Sequence, residues 1–396
     1  MTTAATVSHR IGVRRLLALL GGRATFRLLL YGSAGILVAA WSKDDFNRYA
    51  AVMGAVGWLC MLVQSGTEKA ALKLIPRARR TRDQLAGMLR AVVAYVPLPF
   101  TLAAVVALVV APGGTVTLYL LGIAYYVTLG CGSLGVAVHR ALGRYTRDTV
   151  HFALLGVGMV IMAWAAFAVP VRPVGYLAGL LALTTALNLS LLPGLPRTAR
   201  PRRSLRTLLA GTVVLMGVAD VLANAMIGTL FVELSLTVHA GQSGDLYLVV
   251  LAWGFAVSVI YTVQRIYQPR LSVLIASGGS GARALGRRVI GVAGWVSAVW
   301  LVAGGAAIVL GLSGLVGLGC LLATLLPSIG LVSFGVFVLE NSGEDGLRSS
   351  VKAVVLALVV VTAVGALTVP LYGAAGAVYA LGANPLVIAL ALRRAG

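Results

Sequence analysis

The sequence predicts an all-α integral membrane protein: twelve transmembrane helices in two six-helix lobes around a central cavity. Three observations predict it. Hydrophobic residues fill 59% of 396 positions against 11% charged, with a mean hydropathy of +0.96, a balance that leaves too little polar surface to cover a water-soluble fold. Twelve apolar segments each come near the length of about 20 helical residues that crosses a hydrocarbon core ~30 Å thick. The basic residues between them alternate strictly from side to side.

The elements follow in chain order. Four arginines stand in the first 23 residues, and the first span, 24–41, follows directly. Its length, and the lack of a small-residue cleavage site before the charged turn Ser42-Lys43-Asp44-Asp45, predict an uncleaved helix rather than a removable signal. Spans at 46–64, 91–111, 115–138, 150–171 and 174–192 complete a first set of six. Turns as short as APGG (111–114) and VRP (171–173) make neighbouring helices there antiparallel hairpins. A second set lies at 208–235, 245–263, 289–311, 314–338, 353–370 and 372–391. Cytoplasmic loops are rich in lysine and arginine, which tests the count. With the N-terminus inside, 29 of the 32 basic residues fall on the cytoplasmic side, and only Lys43, Arg48 and Arg172 on the other. Removing one span would scramble the alternation for every later loop, so both termini are expected in the cytoplasm.

The segment 193–207, PGLPRTARPRRSLRT, holds three prolines and five arginines without apolar periodicity and reads as a cytoplasmic linker. It divides the chain into an N-terminal lobe, 1–192, and a C-terminal lobe, 208–396. A weak internal echo supports related halves. KDDFNRYAAVMGAVGWL opens the second span and SGDLYLVVLAWGFAVSV the eighth, with Asp45 and Asp245 in matching places and a Pro-Arg pair, Pro76-Arg77 or Pro269-Arg270, beyond each helix. Such repeats place a site between two bundles near the midplane.

Enzymatic chemistry finds no footing. GARALGRR (281–288) has phosphate-loop glycine spacing, but Arg287-Arg288 replace the lysine and hydroxyl such a loop needs, and it reads as a polar loop. GLVGLG (314–319) lies inside a span, where its glycines serve close helix approach. His9, His139, His151 and His239 show no ligand spacing, and Cys60, Cys131 and Cys320 fall singly in apolar runs as packing residues. No enzyme activity, metal or cofactor is expected. The net charge of +21 is a topology signal, and no nucleic-acid-binding pattern accompanies it.

Asp220 is the informative exception. An ionised carboxylate at the bilayer centre costs about 2.5–3.5 kcal/mol by insertion scales, so it faces a bundle interior or a wet cavity. Gly217, Asp220, Asn224 and Gly228 share one helical stripe, with Asn224 able to bond the carboxylate and the glycines leaving room for water, an ion or a helix. Asp220 and Asn224 are thus the candidate substrate or ion-coupling residues, a proton or sodium ion being the coupling species; a structural contact is the competing reading. Glu233, near the outer end of the same helix, reads as a solvated interfacial residue. In SGTEKAALKLIPRARR (65–80), Lys69 and Lys73 share a face, and with Arg27 and Arg265 they are candidates to line an inner mouth and attract an anionic head group. A positive-inside stop touching lipid head groups is the plainer role for the same lysines.

The first span, the turn SKDDFNRYA with Phe46 and Tyr49, and the following span ending in GTEKAALKLIPR resemble the opening of the Wzx-type polysaccharide-exporter branch of the multidrug/oligosaccharidyl-lipid/polysaccharide exporter superfamily. In that branch an F-x-x-Y/F pattern leads into the second helix, and a small-residue turn, here Ser65-Gly66, ends it. The resemblance covers about the first 80 residues. It implies two six-helix lobes forming a V, alternating access, and the flipping of lipid-linked glycans or other amphiphiles across the bacterial inner membrane in polysaccharide biosynthesis, by a monomer that meets only lipid and substrate. The family also sets basic side chains deep in the cavity for a diphosphate, whereas this chain's bases lie at helix ends. Two rival readings remain: a proton- or sodium-coupled antiporter of small organic molecules, for which an isolated acid suits a cationic substrate, and a non-transporting scaffold, in which the polar stripe is packed dry.

Overall fold

The computed structural model describes the backbone of residues 13–76, 78, 80–197, 202–276, 280–341 and 344–394, and the side chains of these except 13–24, 261–283, 340–341, 344–345 and 347. These residues form fourteen α-helices: α1 (Val13–Ala40), α2 (Lys43–Val56), α3 (Trp58–Leu74), α4 (Arg82–Tyr95), α5 (Pro97–Val110), α6 (Thr115–Ala141), α7 (Thr146–Ala168), α8 (Pro173–Leu191), α9 (Arg203–Ser235), α10 (Ser243–Ala276), α11 (Ser280–Val309), α12 (Gly314–Asn341), α13 (Glu344–Tyr372) and α14 (Ala374–Arg394). Two pairs are single spans broken in the middle. At Gly57 the ladder tightens, with Cys60 N–H bonding the Gly57 carbonyl at 3.3 Å. At Pro97 the missing N–H ends α4 and starts α5. Counted so, eleven helical segments are long and apolar enough to cross a membrane, and α1 adds the shorter apolar stretch Thr25–Ala40. The chain is a multi-pass membrane protein.

Two lobes with the same internal pairing follow from the packing. In the first, α1 packs on α7, α3 on α6, α5 on α6, and α8 on both α6 and α7. The second repeats it with α9 on α13, α10 on α12, α11 on α12, and α14 on both α12 and α13, and adds a contact of α11 with α14 that the first lacks. Across the boundary, α2 and α3 lie on α9, α2 on α10, and α1 touches α10. The two helices that carry the sequence echo therefore meet. Asp45 and Asp245 each sit in the first turn of their helix, where a carboxylate favours the helix dipole. Asn47 accepts the Gly244 N–H at 2.9 Å, and Phe46 and Tyr49 pack edge-on to Tyr247. Trp41 and Tyr176 complete this aromatic layer at the arginine-poor end, with Trp41 Nε1 bonded to the Val171 carbonyl at 2.7 Å.

Several expectations are corrected. Ser65-Gly66 is no turn: both are buried in α3, which runs on to Leu74 because its polar residues find partners in other helices. The stretch 281–288 is helical within α11, not a loop. Gly319 meets nothing within 4 Å and serves no close approach. Cys320 is exposed, while Cys60 and Cys131 are buried. The expected linker is partly helix, since α9 begins at Arg203. Arg77 and the segment 198–201 lie outside the described residues.

Candidate functional site

The polar stripe of α9 faces α3 and the end of α2 across the lobe boundary. A Cβ on Gly217 would fall 2.8 Å from the Gly66 nitrogen, and one on Gly66 would run into the Val213 carbonyl, so α3 and α9 meet backbone to backbone there. Further along, a Cβ on Gly228 would lie 2.6 Å from the Trp58 ring and 2.8 Å from the Ala55 carbonyl. Between these contacts Asp220 Oδ2 accepts from the Ser65 hydroxyl and pairs with Lys69 Nζ at 2.6 Å. Lys69 Nζ also donates to the Met216 carbonyl at 3.2 Å. The pair is open to water or lipid, with side chains 39% and 40% exposed. Asn224 does not bond the carboxylate: its amide donates to the Asp220 backbone carbonyl at 2.8 Å. That is the i to i−4 partner a helical asparagine reaches most easily.

Lys69 therefore occupies a different place from that expected of it. It reaches into the lobe boundary and neutralises Asp220. Lys73, one turn on, instead lines an open groove of about 760 Å³ with Arg203, Ser204, Thr207, Thr212 and Met216. A neighbouring hollow of about 750 Å³ on the same helix is lined by Arg206, Thr207 and Val214. Arg27 sits at the other seam, donating to the Gly254 carbonyl of α10 at 3.3 Å beside an edge-on Tyr31–Phe255 contact. The side chain of Arg265 lies outside the described ones. Glu233 is no solvated residue: both carboxylate oxygens are buried without a hydrogen-bond partner among the described residues, against Gly365 of α13.

A buried charge cluster behind the site escapes the sequence reading. Arg140 of α6 pairs with Glu68 of α3 at 2.6 Å and with Asp148 of α7 at 3.3 Å, and Gln64 donates to Glu68 at 3.0 Å. Glu68 and Lys69 are adjacent, so they point about 100° apart, one into its own lobe and the other across the boundary. The signal was an acid in the TEKAALK stretch, a segment informative at first for its lysines. No group of three metal-ligating side chains occurs among the described residues.

The geometry defines a twelve-span, two-lobe bundle with charged groups meeting at the lobe boundary, and comparison with solved structures agrees. No protein-family model and no curated protein sequence matches the chain. An inward-facing multidrug resistance MATE family transporter of the MOP superfamily aligns with a TM-score of 0.64 at 13% identity, over 93% of each chain. The lipid II flippase MurJ, in an inward closed conformation, aligns at 0.61 and 11% identity over 96% of this chain and 87% of its own. A MOP superfamily transporter from Pyrococcus furiosus, described as having a binding pocket of reverse polarity, aligns at 0.54 and 11% identity over 96% and 93%. The chain has the fold of MOP superfamily transporters.

Proposed function

We propose that the protein is a flippase or exporter that moves an amphiphile, either a lipid-linked glycan or another amphiphilic biosynthetic product, across the bacterial inner membrane by alternating access. One observation carries the reading: an open groove lined by Lys73 and Arg203 runs along α9 to Met216, beside a charged pair that joins the two lobes. A scaffold has no need of a half-exposed ion pair at the joint between its halves. In this reading the arginine-rich end with both termini is cytoplasmic, 193–207 links the lobes, the chain works as a monomer of the Wzx-like branch without enzymatic chemistry, and Lys73, Arg27 and Arg265 attract the head group. Asp220 is the coupling residue for a proton or sodium ion, positioned by Ser65 and Lys69.

The antiporter of small organic cations has Asp220 in its favour, but the carboxylate is already paired with a lysine. The test is transport by purified protein in vesicles. A fluorescent lipid-linked saccharide or anionic amphiphile should reach the protected leaflet only when protein is present, with a rate that depends on the pH or sodium gradient. The gradient dependence should vanish in Asp220→Asn while folded protein is retained. Movement of organic cations but no amphiphile would replace this reading with the antiporter, and movement of neither would leave a scaffold.

A further inference from the structure

We propose that an anionic head group displaces Asp220 from Lys69 and that the freed carboxyl takes up a proton, so that one anion and one proton load the site together. The inference rests on the transporter reading above and adds to it the charge class of the substrate and the origin of its ion coupling.

The groove supplies the first half of the argument. Its charged lining is basic, Lys73 and Arg203, with Arg206 in the adjoining hollow, and no acid lines either. The Ser204 hydroxyl can donate to an oxyanion, those of Thr207 and Thr212 being turned to the Arg203 and Leu208 carbonyls of their own helix, while Leu208 and Leu215 offer apolar surface to a hydrocarbon chain. The groove reaches Met216, whose carbonyl is already a Lys69 partner, so the ammonium lies just beyond its lining, one helical turn from Lys73. An anion drawn along the basic lining as far as Met216 meets Lys69 as the next cation.

The second half is charge balance. Lys69 and Asp220 together are neutral and touch at 2.6 Å. When the ammonium turns to a new anion, Asp220 keeps the Ser65 hydroxyl and loses its only charged partner among the described side chains. Its own helix offers no cation on that face, only Asn224, which bonds the backbone. Of the helices packed on α9, α3 carries Glu68, which pairs with Arg140 in its own lobe, and Lys73, which lines the groove; the others carry their described charges near their ends, at Arg348 and Lys352 in the first turns of α13, Arg393 and Arg394 in the last turn of α14, Asp245 in the first turn of α10, and Lys43, Asp44, Asp45 and Arg48 in the first turns of α2. Glu233 faces α13. Without its ammonium the carboxylate would stand as a second negative charge beside the bound anion, and a proton removes that charge. Before loading the site holds an ammonium and a carboxylate; afterwards it holds an ammonium, the bound monoanion and a carboxylic acid. One anion and one proton have entered, and the net charge is unchanged.

The experiment is calorimetric titration of the full-length protein in a neutral detergent, run in two buffers of different ionisation enthalpy so that proton uptake is read from the difference. The probe is dihexanoyl phosphatidylglycerol, a phosphodiester whose single charge does not titrate near neutrality, with dihexanoyl phosphatidylcholine and chain-free glycerophosphoglycerol as the other arms. Wild type should bind the glycerol lipid with uptake of about one proton, and the choline lipid at least tenfold more weakly. Asp220→Asn should still bind it, since Lys69 is then unpaired, but without proton uptake; the neutral pair Lys69→Gln/Asp220→Asn, which strands no charge, should lose binding. Binding without proton uptake by wild type overturns the inference alone, as does unchanged uptake in Asp220→Asn. Failure of wild type to bind any of the three overturns it together with the transporter reading. Equal binding of the chain-free diester overturns the amphiphile and leaves a soluble anion.

Discussion

Arg140 holds two acids from two helices, and its removal takes a close charged partner from both. Its side chain is 17% exposed, that of Glu68 9% and that of Asp148 2%. Breaking a buried pair by deleting one partner costs about 3–5 kcal/mol, because the surviving charge stays buried, whereas deleting every charge together costs much less. Arg140→Gln should therefore lower the thermal unfolding midpoint in detergent sharply. Adding Glu68→Gln and Asp148→Asn should restore most of the loss. An Arg140→Gln protein that melts at the wild-type temperature would mean the cluster contributes nothing to the lobe. Lys69 and Asp220 are under a different constraint. They are over a third exposed, so their attraction is screened and their worth lies in where they sit rather than in stability.

At the scale of elements, α3 is two-faced: Glu68, held by Gln64 of the same helix, binds it into its own lobe, while Ser65, Gly66 and Lys69 meet α9. The backbone contact of Gly66 and Gly217 sets the distance at which Lys69 reaches Asp220. Gly217→Val should push α9 away, lower the unfolding midpoint and reduce transport, whereas Gly291→Ala, with nothing within 4 Å, should be neutral or stabilise by up to about 1 kcal/mol. Loss of stability in both would show that any side chain on these helices is harmful and that the close approach is not special. The α9 stripe could be read in sequence because its 3, 4, 4 spacing is local. The end of α3 could not. Hydropathy scores each residue alone, and Thr67, Glu68, Lys69 and Lys73 make the last ten residues look like a loop; the charges of Glu68 and Lys69 are cancelled by Arg140 and Asp220, which lie far off in the chain. The break at Gly57 left no mark either, since a kinked span and a straight one have the same hydropathy, whereas Pro97 marks its break by the missing N–H and not by hydropathy. The spans themselves were legible because the bilayer imposes length and apolarity on each one separately.

For the whole molecule, alternating access requires the contacts between lobes to open at one end while they close at the other. At the arginine-poor end that seam is sealed: Asn47 bonds the Gly244 backbone, and Phe46, Tyr49 and Tyr247 fill the space between α2 and α10. A substrate or ion shifts this closed state only by its differential affinity for the two conformations. A covalent bond across the seam adds a restraint that such affinity cannot overcome. Asn47 Oδ1 and the Gly244 nitrogen are 2.9 Å apart, which sets positions 47 and 244 against each other, and since a Cβ at 244 falls 2.9 Å from the Phe46 ring, a disulfide between cysteines there requires that ring to give way. Cys60 and Cys131 are buried, and Cys320, which is exposed, is replaced by serine in the same background. The oxidised Asn47→Cys/Gly244→Cys protein should retain substrate binding from the arginine-rich end, where the groove stays open, but its transport should fall to the protein-free rate, and reduction should restore it. Comparing the two redox states of one variant removes any effect of the substitutions themselves. Transport at an equal rate in both states would mean that the seam never opens, and the rocking of two lobes would then be wrong for this chain despite its fold.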